Sequence, residues 1–195
     1  PVTWKNFVRA ESDKMFNSYV KMGAFGKFFN IPSPTPIDQQ KVVRMNRDTI
    51  YSLGVFDLTT PVTITKPDTG KRFQSMQVVN EDQYTPMVVY KPGTYTLTQE
   101  KMGTRYVFVV VRTLVDAEDP EDIKKVNAIQ QQTTVEQESV GKFEIPNWDT
   151  ASQDKVRAAL KVLSATMENY DGAFGSKDEV NPVKFLFASA TGWGG

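Results

Sequence analysis

Arg105-Tyr106-Val107-Phe108-Val109-Val110-Val111-Arg112-Thr113-Leu114 decides the fold: the stretch is dominated by β-branched and aromatic residues and holds no glycine or proline. Such side chains lose rotamer freedom in a helix and pack well on a pleated surface. Apolar residues fall on both parities of the run. A strand reading that way has both faces covered, so the stretch predicts the centre of a sheet.

Upstream, strand grammar recurs at short spacing. Thr49–Leu58, Pro61–Lys66, Lys71–Asn80, Pro86–Tyr90 and Thr94–Thr98 each read as strands, and Pro67-Asp68-Thr69-Gly70 is a strong turn signal between two of them. Strand-turn-strand succession without intervening helices predicts an antiparallel sandwich or barrel rather than βαβ units.

Helical periodicity brackets the strands. Trp4, Phe7, Val8, Met15, Phe16, Tyr19, Met22 and Phe29 recur at steps of three and four, with Thr3 as N-cap, until Ile31-Pro32-Ser33-Pro34-Thr35-Pro36 stops the helix. Asp119-Pro120-Glu121-Asp122 opens a helix to about Gln131, followed by a polar connector. Asn147 to about Asn169 is a further helix, with Val156, Leu160, Val162, Leu163 and Met167 as its buried stripe, and Val183–Ala188 a last short one. The organisation expected is mainly β with attached helices: residues 1–40 an N-terminal helix and Pro-rich connector, 41–118 the sheet core, and 119–195 a helical segment.

Composition bounds the chemistry. Among 195 residues there is no histidine and no cysteine. That excludes a Ser–His–Asp triad, a Cys–His pair, an imidazole base and zinc held by Cys and His. Ser75 sits in no Gly-x-Ser-x-Gly elbow. Any catalysis falls to carboxylates, Lys, Tyr, Ser/Thr or a residue lent by another chain; no cofactor and no metal is expected. Lys+Arg and Asp+Glu both number 23, so no net charge favours a nucleic-acid partner. The longest dense apolar run, Tyr106 to Val111, is too short to span a bilayer. The start lacks an apolar leader, so a cytoplasmic setting is expected, with secretion or periplasmic export after signal removal as the alternative.

Three constellations carry candidate chemistry. Asn46-Arg47-Asp48-Thr49-Ile50-Tyr51 puts polar side chains at a strand mouth, suited either to binding a carboxylate or sugar hydroxyls or to a structural Asx turn. Arg72 to Tyr84 alternates so that Arg72, Gln74, Met76 and Val78 share one face and Phe73, Ser75, Gln77 and Val79 the other. Each face mixes polar and apolar residues, so this strand meets water, a ligand or a buried polar network. Asn46, Arg47, Asp48, Tyr51, Gln74, Gln77, Tyr84 and Arg112 are the candidate lining of a polar cleft, with Arg112 as the anion-facing donor. Glu81 and Asp82 read first as solvated loop carboxylates. In the glycine-rich tail, Trp193 reads as an interface anchor.

Taken in order, Asn46-Arg47-Asp48-Thr49-Ile50-Tyr51-Ser52, Arg72-Phe73-Gln74-Ser75-Met76-Gln77 and Val111-Arg112-Thr113-Leu114-Val115-Asp116 resemble the signature blocks of the domain of unknown function 1254 family. Trp4 to Glu11, Gly172-Ala173-Phe174-Gly175 and Gly192-Trp193-Gly194-Gly195 resemble its first and later blocks. The resemblance implies an immunoglobulin-like β-sandwich with helices attached. It implies as partner a second domain of the 1214 family type, joined on or supplied as a second polypeptide; a homo-oligomer stays open. Relatives often carry His where this chain has Phe185. The resemblance implies no established activity. The leading expectation is a ligand- or partner-binding module forming the N-terminal half of a two-domain protein. The alternative is a hydrolase of small esters or glycosides with a His-free, carboxylate-based site completed by a second domain. It needs a carboxylate with a raised pKa or a nucleophile supplied across the interface, and convergence of Asp48, Asp82 and Tyr84 around a pocket would support it.

Overall fold

The computed structural model describes residues 1–36 and 46–192. In chain order its elements are α1 (Phe7–Lys21), β1 (Phe29–Asn30), β2 (Thr49–Asp57), β3 (Val62–Lys66), β4 (Gln74–Asn80), β5 (Met87–Val89), β6 (Gly93–Leu97), α2 (Gln99–Met102), β7 (Tyr106–Leu114), α3 (Pro120–Gln130), β8 (Thr134–Gln137), α4 (Thr150–Ser164) and α5 (Pro182–Ser189).

The Val-rich run is β7, and it is the middle strand of a five-stranded sheet ordered β1-β2-β7-β4-β5. It pairs antiparallel with β2 from Thr49↔Leu114 to Asp57↔Tyr106, and with β4 from Gln74↔Thr113 to Asn80↔Val107. A second antiparallel sheet has the order β6-β3-β8. The inner face of the large sheet, Phe56, Met76, Val78, Val107, Val109 and Val111, packs on Val62, Ile64 and Leu97 of the small one. Its outer face, Leu53, Val55, Val79, Phe108 and Val110, is covered by Phe16, Tyr19 and Val20 of α1, with Tyr19 stacked on Phe108 at 4.4 Å. Both faces of β7 are covered from Tyr106 to Val111, as its sequence requires. Gly54 stands in mid-strand because a Cβ there would meet the Phe56 ring at 2.6 Å.

Helix ends follow capping chemistry. Asp119 caps α3 through the Glu121 N–H, Asp149 caps α4, and Asn181 caps α5 through the N–H groups of Val183 and Lys184. A small apolar cluster of Val2, Phe7, Ala10, Leu160 and Ala190 joins α1 to α4 and to the end of α5.

Four expectations need correction. The first helix begins at Phe7 rather than beside Thr3: Trp4 to Asn6 form a turn, closed by the Thr3 N–H on Asn6 Oδ1 at 2.7 Å. Phe29 lies in β1, not on the helix, because Gly23 takes φ +93° and ends it. The stretch after the polar connector is a strand, β8, which only Val135 joins to the core. In α4, Leu160 is buried but Val162 and Leu163 are 72% and 46% exposed, so the stripe is narrower than its apolar residues suggest.

Candidate functional site

The strand mouth is a turn that starts β2. Asn46 Oδ1 accepts the N–H groups of Asp48 at 2.8 Å and Thr49 at 3.2 Å, and Asn46 Nδ2 donates to Thr49 Oγ1 at 3.1 Å. That is an Asx turn. Arg47 pairs with Glu118 at 2.8 Å, and the Asp48 carbonyl accepts the Val115 N–H at 2.9 Å. These side and main chains are committed to local structure.

On the outer face of the large sheet the strand register brings other candidates together. Tyr51, Arg112 and Ser75 stand directly opposite one another on β2, β7 and β4, so their side chains share one face. Arg112 Nη1 donates to Gln77 Oε1 at 2.9 Å, and its guanidinium lies 5.8 Å from the Tyr51 ring centroid. Gln77 Nε2 donates onward to Thr85 Oγ1 at 3.3 Å. The same face carries an apolar surround. Val88 is opposite Gln77, Leu114 is two residues beyond Arg112, and the rings of Phe73 and Tyr90 meet at 5.9 Å. All four are exposed, Tyr90 at 61% and Phe73 at 46%.

The charge on this floor is unbalanced. Among the described residues, Arg9 pairs with Asp82, Arg47 with Glu118, Arg72 with Asp122, Arg105 with Asp57 and Arg157 with Glu11. Arg112 has no carboxylate partner among them; its contacts are an amide oxygen and an aromatic face. A half-buried guanidinium has five N–H donors in a planar fork that suits a carboxylate bidentately. Arranged this way, the face can hold an anion with an apolar or aromatic body beside it.

The remaining candidates lie elsewhere. Gln74 is on the inner face, where Nε2 donates to Thr113 Oγ1 at 3.0 Å and Oε1 is buried without a partner. Gln74 and Gln77 differ in parity, so one sheet separates them. Tyr84 sits in the β4–β5 turn, stacked on Phe185 at 4.9 Å, with its hydroxyl pKa raised by burial and by Asp82. Asp48 precedes the Thr49↔Leu114 pair and Asp82 follows the Asn80↔Val107 pair. Those pairs are about 23 Å apart along β7 at the usual strand rise, so Asp48 and Asp82 do not converge. Trp193 lies outside the described residues.

A groove of about 540 Å³ opens beside Arg72, Leu114, Asp116, Asp119 and Asp122. Two of its charges satisfy each other: Arg72 binds both oxygens of Asp122, at 2.9 and 2.5 Å, and holds that carboxyl down to about 2. Among the described residues no group of three or more acidic side chains is placed to hold a metal ion, and no helix is long and apolar enough to cross a membrane.

The sequence reading missed Phe73, Val88, Tyr90 and Leu114 as a surround, although their alternation with Gln74, Val89 and Thr113 was available. It also placed Glu81 in solvent, whereas Glu81 is buried against the Tyr106 N–H at 3.0 Å.

Residues 25–137 match the model of the DUF1254 family, described as a protein of unknown function, and the chain belongs to that family. The fold is similar to the crystal structure of the VPA0106 protein from Vibrio parahaemolyticus, with a TM-score of 0.72 at 13% identity over 97% of this chain. This chain spans 66% of that one. No curated protein matches the sequence.

Proposed function

We propose that this member of the DUF1254 family is a binding module whose outer sheet face, centred on Arg112, takes a small carboxylate with an aromatic or apolar body. The observation that carries the reading is Arg112 itself, which among the described arginines is the one without a carboxylate partner. Gln77 holds the guanidinium from one side, and the Tyr51 ring lies against it. The arriving carboxylate takes the remaining guanidinium donors. The ligand body then covers Phe73 and Tyr90, removing exposed apolar area from water.

In this reading the module works beside a further domain of the 1214 family type or a second polypeptide. The support is the family resemblance and the greater length of the similar Vibrio structure, of which this chain spans 66%. Asp48 and Asp82 stand toward opposite ends of β7, so their convergence lends no support to the hydrolase alternative.

The test is calorimetric titration with phenylacetate and its neutral amide. The wild type should bind phenylacetate and discriminate against phenylacetamide. Arg112→Gln should weaken phenylacetate about 10- to 100-fold, the worth of a charge-assisted hydrogen bond. Equal affinity for acid and amide, or an unchanged Arg112→Gln variant, would overturn the reading.

A further inference from the structure

We propose that the buried carboxyls of Asp13 and Glu81 are not both ionised in the folded protein and form a pH-sensitive clasp that fastens α1 and the segment leading into α4 to the β4–β5 turn. The clasp stands apart from the Arg112 face and does not depend on the binding reading.

The charge count motivates it. Asp13 on α1 is 1% exposed and Glu81 in the turn 6%. With Asp82 they are three carboxylates drawing on one guanidinium, that of Arg9, which lies one helical turn before Asp13 on α1. Arg9 is committed to Asp82 Oδ1, at 3.1 Å from Nε and 2.5 Å from Nη2, and reaches Glu81 Oε1 only at 3.6 Å. The next cation along, Arg157 of α4, is taken by Glu11, which also accepts from Gln153 at 2.5 Å. Tyr84, the other titratable group of the turn, adds no positive charge. Two buried carboxylates facing one shared cation cannot both ionise without a large desolvation and repulsion cost.

The hydrogen bonds show where the proton fits. Glu81 Oε2 accepts the Tyr106 N–H at 3.0 Å, and Asp13 Oδ2 accepts Trp148 Nε1–H at 2.7 Å. Asp13 Oδ1 is buried with no partner. Protonation there removes a buried charge that no donor on that oxygen satisfies. Burial raises the pKa of both Asp13 and Glu81, and Asp13 and Asp82 raise that of Glu81 further.

These bonds cross elements. Asp13–Trp148 ties α1 to the approach to α4, and Arg9–Asp82 ties α1 to the turn. The closed clasp binds its proton more tightly than the opened one, whose carboxyls are hydrated. Closure is therefore fully stabilised at acid pH and weakens as pH rises through the raised pKa.

The test is NMR on the full chain: carboxyl carbon titration of Asp13 and Glu81, with hydrogen-exchange protection of the Trp148 indole N–H over the same range. At least one of the two carboxyls should titrate above the ordinary carboxylate range. Trp148 protection should fall by up to about tenfold per pH unit between that range and the raised midpoint, then level off. Asp13→Asn and, separately, Glu81→Gln should flatten this pH dependence. Both carboxyls titrating in the ordinary range, or a pH dependence that survives in either folded variant, would overturn the proposal. If a variant fails to fold, the wild-type carboxyl titration decides.

Discussion

Arginines in this protein divide by what they touch. Asp57 is fully buried; burial alone would raise its pKa, but Arg105 and the N–H groups of Thr59 and Lys142 hold it below the usual range. Arg105 binds both oxygens, at 3.1 and 2.8 Å. Arg105→Ala leaves a buried charge with only backbone donors, and should cost about 3 kcal/mol in urea denaturation. Arg72 does the same for Asp122, whose pKa it lowers to about 2. A depressed carboxylate contributes stability above its unfolded pKa and loses it as pH falls through the folded one. Arg72→Ala should therefore lower the urea midpoint at pH 5 and flatten its fall on acidification, so that the gap to the wild type narrows as pH is taken from 5 down to 2. Arg112 has no such partner, which is why its removal should spare stability and reduce binding instead.

At the scale of elements, legibility tracked side-chain pattern. β7 was readable because its apolar residues fall on both parities, and the other long strands because turns bracket them. β8 was not, since an edge strand with one core contact, Val135, has almost no hydrophobic signal. The α4 stripe was overread for the opposite reason: apolar residues were present, but the neighbour covers only one side. Leu160→Ala should cost about 2–4 kcal/mol, while Val162→Lys should stay within about 0.5 kcal/mol, both read as shifts in the denaturation midpoint. Within the site, alternation put Gln77 and Gln74 on different faces. What joins Gln77 to Tyr51 and Arg112 is interstrand register, which no single segment encodes. Asn46 carried the right chemistry for a ligand, yet its side chain and the Asp48 main chain go to starting β2.

Across the whole molecule, one turn gathers contacts from α1, from α5 and from the segment before α5. Between Asn80 and Thr85, Asp82 binds Arg9, Tyr84 stacks on Phe185, the Thr85 N–H donates to the Gly175 carbonyl, and Gln83 Nε2 reaches the Gly192 carbonyl at 3.2 Å. Gln83 holds φ +63°, a strained value for a side-chain-bearing residue, kept by contacts on both sides. Arg112 stands toward the other end of β7, joined to this junction through the Gln77–Thr85 hydrogen bond. Ligand binding there should leave the helical layer in place. The most direct measurement is amide and side-chain NMR shift mapping of the full chain titrated with phenylacetate. The account predicts saturable shifts at Tyr51, Phe73, Gln77, Tyr90 and Arg112, absent in Arg112→Gln. Shifts centred on the Arg72–Asp122 groove or the β4–β5 turn, or shifts that persist in the variant, would contradict it.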